Sequence, residues 1–389
     1  MLYAFLELTR EWLIDHGVYF LLRVFEQLQF RALAAAGLAF VLVLVLGKPT
    51  IRWLTRKKIG DSGLADTEAL RAHASSKANV PTMGGLLIVG SIVVSVLMLA
   101  DLSQFYIQLG LIVMLWLAVL GGFDDWLKLT AKSRGTGSRQ GLRAWEKLIF
   151  QLGLGLIAGW FLYRQGTSVE DVRHVLNLPF QKTYETAASG TLNPALIYLS
   201  AIPFVIVSIL MLTGMSNAAN ITDGMDGLAG GIATAVSVGL FVLTLVAGDN
   251  GMAHYLLVPH IPGSGELAVL AGATAGACLG FLWWNCSPAQ VFMGDTGSLA
   301  LGGVIGYIAL VTRQEIATLL MCGVFLIEIG SVTIQVTYFR ATGGRRIFRC
   351  APYHHHLHMG GWTESQIVAR AWIVSLILVV AALAMLKVR

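Results

Sequence analysis

The chain has 389 residues, is 56% hydrophobic and only 13% charged, and has a mean hydropathy of +0.71. Ordinary soluble domains carry about 25% charged residues, so that class is excluded; the net charge of +5 says little by itself, and no nucleic-acid partner is expected. Apolar runs of about 20 residues recur, each long enough to cross a hydrocarbon core ~30 Å thick, whereas a transmembrane barrel would alternate in segments of about ten. The class is all-α: a polytopic integral membrane protein with about ten transmembrane helices, one domain over residues 1–389.

Residues 1–30 mix Trp12, Tyr19, Phe20 and Phe25 with Glu11, Asp15, Arg23 and Glu26. They lack the basic start, apolar middle and small-residue cleavage site of a signal peptide. They read as an interfacial amphipathic helix. Ten apolar stretches follow, near 31–47, 83–100, 107–123, 147–163, 195–213, 224–247, 266–284, 298–312, 316–338 and 369–386. The eighth is short and is expected to begin inside the protein, where lipid thickness does not set length. The first is short as well, and is expected to reach back into the amphipathic segment. In the seventh, Gly272, Gly276 and Gly280 recur every four residues, which suits close helix packing. Cys278, Cys286, Cys322 and Cys350 form no CxxC pair, and no disulfide is expected.

Ten passes put both termini on one side. The loops 48–82, 124–147 and 339–370, all on the other face, hold 18 of the 27 Lys and Arg residues. By the positive-inside rule that face is cytoplasmic, so both termini and the loop 164–194 are periplasmic. No loop is long enough for a separate soluble domain, and 164–194 carries no chemical motif.

Five polar clusters fall on the cytoplasmic face. They are Lys77 with Pro81-Thr-Met-Gly-Gly85; Asp124-Asp-Trp-Leu-Lys128; Asn217-Ala-Ala-Asn-Ile-Thr-Asp-Gly-Met-Asp-Gly-Leu228; Asn285 with Pro288-Ala-Gln-Val-Phe-Met-Gly-Asp-Thr-Gly297; and Pro352-Tyr-His-His-His-Leu-His358, within the cytoplasmic His loop 339–368. An ion pathway would place charges through both halves of the membrane. This pattern reads as one pocket at the cytoplasmic surface.

In the third cluster Asn217, Asn220, Asp223 and Asp226 recur at every third position, a spacing that keeps neighbours close on a helical turn; a polar turn between two spans is the ordinary alternative. Asp124 and Asp125 point about 100° apart on a helix, so one can face a metal and the other a different partner. Lys128, one turn on, either meets phosphate or pairs with Asp124. Gly294 and Gly297 flank Asp295 and permit close backbone approach, while Thr296 and Ser298 either bind phosphate or cap the next helix. Carboxylates without thiols suit Mg²⁺. His354, His355, His356 and His358 lack the Cys or Glu spacing of a zinc site and suit phosphate contact or proton transfer. Glu328, in mid-span, is buried or pocket-facing with no assigned role. Hard-cation ligands, phosphate-binding cations and Phe292 for stacking a base describe phosphoryl transfer between a soluble nucleotide and a lipid. A transporter would need polar groups through the full membrane depth; only Glu328 and Gln335 are obvious mid-span candidates.

Together the five motifs resemble the polyprenyl-phosphate N-acetylhexosamine-1-phosphate transferases, from about Arg31 to Arg389, through PTMGG (81–85), DDWLK (124–128), NAANITDGMDGLA (217–229), PAQVFMGDTGSLALGG (288–303) and IFRCAPYHHH (347–356). The resemblance implies ten helices, a homodimer in the bacterial inner membrane, and a cleft facing the cytoplasm. The reaction it implies is transfer of phospho-MurNAc-pentapeptide from UDP-MurNAc-pentapeptide to undecaprenyl phosphate, with Mg²⁺, giving lipid I and UMP. A sibling that transfers GlcNAc-1-phosphate to the same lipid shares the Asp motifs; the triple His after Ala-Pro favours the muramoyl enzyme. By matching positions, Asp295 looks like the metal ligand, and Asp124, Asp125 and His354 join it as catalytic residues. Lys77, Thr82, Lys128, Asn217, Asn220, Asp223 and Asp226 look like the lining of the nucleotide-sugar and phosphate cleft. Asn285 and Phe292 would hold the uracil, and His355 and His356 would approach substrate or support the loop.

Overall fold

The computed structural model describes residues 2–57, 80–130, 141–187 and 190–387. An amphipathic α1 (Leu2–Asp15) leads into the long helices α2 (Leu28–Arg56), α3 (Gly85–Leu99), α4 (Phe105–Thr130), α5 (Ala144–Tyr163), α6 (Ala201–Thr222), α7 (Leu228–Gly248), α8 (Leu267–Asn285) and α9 (Gly294–Thr312). After the short helix Glu315–Met321 come α10 (Gly323–Ala341), the His helix α11 (Tyr353–Met359) and α12 (Glu364–Met385). There is no strand among the described residues, only isolated bridges at Val175–Tyr198 and Tyr184–Leu192.

Each of the ten apolar stretches falls largely on helix, and among the described residues eight helices combine the length and composition to cross a bilayer, with a shorter apolar helix, α3, beside them. At 15 residues α3 is short, and α5 carries Glu146 and Lys147 in its first turn. The first span begins at Leu28, inside the amphipathic segment, and also runs forward to Arg56. The fifth extends into the polar stretch as far as Thr222, and the ninth breaks at Cys322.

Local chemistry sets several helix starts. The Glu146 side chain accepts from the Arg143 N–H at 2.7 Å, and Thr363 and Gln366 cap each other reciprocally at 3.2 and 3.3 Å. The Gly272/276/280 stripe lies against the α2 backbone: a Cβ at Gly276 would sit 2.0 Å from the Ala36 carbonyl oxygen. At the centre, α9 packs against α3, α4, α6 and α7, and every residue from Thr296 to Thr312 is buried.

The two chain ends share one end of the bundle. Arg31 pairs with Glu266 and stacks on Tyr3, while Lys387 bonds the Tyr255 hydroxyl. The polar clusters gather at the opposite end. All four cysteines are free.

Candidate active site

The site is assembled at the N-terminus of α9. Two glycines let other backbones reach it: a Cβ at Gly121 would lie 2.1 Å from the Asp295 carbonyl oxygen, and one at Gly85 2.1 Å from the Gly297 nitrogen. The PTMGG segment is laced to the loop before α9. Phe292 N–H donates to Pro81 O, Gly84 N–H to Phe292 O and Gly85 N–H to Met293 O, each at 2.8 Å.

The first N–H groups of a helix have no partner within it. Here Asp125, from α4, supplies one. It accepts from Asp295 N–H at 3.2 Å, Thr296 N–H at 3.0 Å and the Thr296 hydroxyl at 2.8 Å. Both carboxylate oxygens are thereby spent on holding Asp295 in place.

Asp295 faces a cationic spot. Its Oδ2 lies 3.1 Å from Lys128 Nζ and 2.5 Å from Lys147 Nζ. The wholly buried Asp124 turns its own Oδ2 to the same two ammonium groups, 2.7 Å from each, and its Oδ1 accepts from Leu142 N–H at 2.6 Å. Asn220 donates to Asp295 Oδ1 and to the Ser298 hydroxyl, both at 2.9 Å. The two carboxylates and the two ammonium groups offset one another's charge at one locus. Among the described residues no group of three His, Cys, Asp or Glu side chains encloses a metal by itself.

The third-position array does not share one helical face. Asn217 and Asn220 ride the last turns of α6, Asp223 is its C-cap, and the chain then turns through Gly227 at φ +79°. Asn217 bonds Gln151 at 2.8 Å. Asp226 faces away: it accepts from Ala289 N–H at 3.1 Å, and its own N–H donates to Glu364 at 2.9 Å. Asp223 stays with the carboxylates. Burial first, then Asp295 and Asp125, push its carboxyl up to about 7.

Other sequence candidates take varied places. Lys77 lies outside the described residues. Thr82 Oγ1 faces Gly294 beside Asp125. The Asn285 amide ties two loops, donating to Val291 O at 2.8 Å and accepting from Gly227 N–H at 3.0 Å; Phe292 beside it is half-buried. His354 is buried, with its ring centroid 4.3 Å from that of His355. His356 accepts from Arg349 N–H at 3.1 Å and stacks on Tyr353, bracing the loop.

Sequence reasoning missed Lys147, counted only among the orientation charges of loop 124–147, and Gln151, which lies within the fourth apolar stretch. The available signal was their i, i+4 spacing on one face at the cytoplasmic start of an apolar helix. It also missed Glu364, which depends on a tertiary contact.

The sequence profile of glycosyl transferase family 4 matches residues 107–313. A phospho-N-acetylmuramoyl-pentapeptide-transferase of Desulfotalea psychrophila is 41% identical over 96% of this chain and 98% of its own. Proteins of the same name from Oleidesulfovibrio alaskensis and Thermodesulfovibrio yellowstonii are 42% and 41% identical, each over 95% of this chain and 96% of its own. With the profile spanning the Asp124 to Asp295 core and relatives aligned almost end to end, the chain belongs to glycosyl transferase family 4.

Proposed function

We propose that the protein transfers phospho-MurNAc-pentapeptide from UDP-MurNAc-pentapeptide to undecaprenyl phosphate, forming lipid I and UMP. The observation that carries this reading is Asp295, fixed at a helix N-terminus and shared with Asp124 between two lysines. Both reactants are polyanions, and convergent cations are what allow them to approach. The name shared by the relatives favours the muramoyl donor over the GlcNAc alternative.

In this reaction a lipid phosphate oxygen attacks the sugar-bearing β-phosphorus. The bond from that phosphorus to the bridging oxygen breaks, and UMP leaves with the electron pair. Lys128 and Lys147 draw both phosphates together and offset their charge. Asp295, with Asp124 beside it, is the proposed Mg²⁺ ligand; bound there, the ion would neutralise charge developing on the phosphoryl oxygens. Asp124 and Asp125 have their oxygens committed to lysines and backbone N–H groups. This supports direct attack, in which the site positions two reactants, over a covalent aspartyl intermediate.

The same proposal places the cleft on the cytoplasmic side of the bacterial inner membrane, with both termini periplasmic. The basic loops support that orientation. A homodimer belongs to the reading too, and light scattering of the detergent-solubilised protein tests it.

The test of function supplies the purified protein with undecaprenyl phosphate, Mg²⁺ and either UDP-MurNAc-pentapeptide or UDP-GlcNAc. UMP and lipid I are expected from the muramoyl donor alone, with loss on chelation or in Asp295→Ala. Turnover of UDP-GlcNAc instead would move the protein to the sibling activity. A folded protein that turns over neither donor would overturn the proposal.

A further inference from the structure

Glu328 has no part in the reaction as drawn, yet it is only 4% exposed in the middle of α10. Its Oε2 accepts from the backbone N–H of His354 at 3.2 Å and faces His354 Nδ1 at 3.0 Å. A carboxylate only accepts, so this chemistry assigns a proton to Nδ1. The other ring nitrogen, Nε2, is buried and has no hydrogen-bond partner among the described residues. It is turned to Gly224, where a Cβ would lie 2.5 Å away, one residue after Asp223. A buried polar atom left unpaired is destabilising, which suits a nitrogen whose partner arrives with the substrate.

We propose that Glu328 is a positioning residue: it holds His354 with the proton on Nδ1, so that the lone pair of Nε2 accepts from a sugar hydroxyl of the substrate beside Asp223. Two donors of one residue converge on one oxygen, so the ring is fixed in both tautomer and direction. The backbone bond adds a second hold, because His354 lies in the first turn of α11, whose N–H groups need an outside acceptor. Leucine at 328 would remove the acceptor and leave both donors orphaned. Glutamine would keep an oxygen for both, since the backbone N–H selects the carbonyl end of the amide. This inference rests on the transferase reading, and the two fail separately: wild-type turnover tests the reaction, and nitrogen NMR tests the positioning.

The experiment has two arms. In the first, ¹⁵N-histidine spectra of the full-length protein in lipid, with His354→Gln to assign the signal, show which nitrogen carries the proton. A protonated Nδ1 is expected in the wild type and in Glu328→Gln. An unprotonated Nδ1 in the wild type overturns the proposal, whatever the variants do. In the second, Glu328→Leu is expected to lose ~10–100-fold in kcat, the range seen when a partner that orients a functional histidine is removed. Its KM for the nucleotide sugar should stay within about threefold, and Glu328→Gln should recover most of the loss. A merely structural tether would lower melting temperature, nucleotide affinity and kcat together. That pattern, or an unchanged kcat in Glu328→Leu, overturns the role; if Glu328→Leu does not fold, the wild-type spectrum decides.

Discussion

Lys147 Nζ lies 2.5 Å from Asp295 Oδ2 and 2.7 Å from Asp124 Oδ2, so one ammonium group from the first turn of α5 joins carboxylates from α4 and α9. With Lys128 it keeps two buried like charges in register. Replacing it with methionine keeps the stem and removes the charge. Loss of a preorganised electrostatic partner of this kind is expected to lower kcat by ~10²–10³-fold. UMP release at saturating donor reads it, and a variant within threefold of wild type would remove Lys147 from the site.

Asp125 caps α9 from a neighbouring helix, so its loss should appear in stability as well as in activity. Asp125→Ala strands the N–H groups of Asp295 and Thr296, and each buried unpaired group costs about 1–3 kcal/mol. The melting temperature in detergent should fall by several degrees. A residue that served only as a proton acceptor would leave the melting temperature where it was.

The Asp223 carboxyl, pushed up to about 7 from a usual 3.8, links folding to pH. The folded state binds its proton more tightly than the unfolded chain does. That contribution is complete below about 3.8 and is lost as pH rises through about 7. Asp223→Asn removes it. The melting temperature of the variant relative to wild type is therefore expected to rise between pH 5 and pH 8 without Mg²⁺. A difference that stays flat across that range would contradict the assignment.

Helix packing offers a matched pair of glycines. Gly276→Ala puts a methyl 2.0 Å from the Ala36 carbonyl, whereas Gly153 in α5 has nothing within 4 Å of the corresponding point. The first change should destabilise through overpacking, by about 1–3 kcal/mol. The second should be neutral or stabilise by up to ~1 kcal/mol through helix propensity. Thermal melts of the two variants side by side test the contrast.

The helices were legible because lipid imposes a length and a polarity on every crossing. Asp124, Asp125, Asn220, Asp223 and Asp295 stood out because carboxylates and amides are conspicuous in apolar sequence, and the structure brings them together. Lys147 was hidden by its position, since a basic residue at the start of a span is also an orientation signal. The link from Glu328 to His354 joins residues 26 apart on separate helices, and no local spacing announces such a contact. Asp226 parted from its array because α6 ends at Thr222, with Asp223 as its cap, a backbone event that spacing cannot register.

Residues Thr296–Thr312 of α9 are buried throughout, so the helix that carries Asp295 is sheathed by protein on every side. Its depth and tilt are set by neighbouring helices rather than by acyl chains. A thicker or stiffer bilayer would first press on α2, α10 and α12, the least buried of the long apolar helices. Asp295 would hold its place while the lipid around it changed, its position set by protein packing alone.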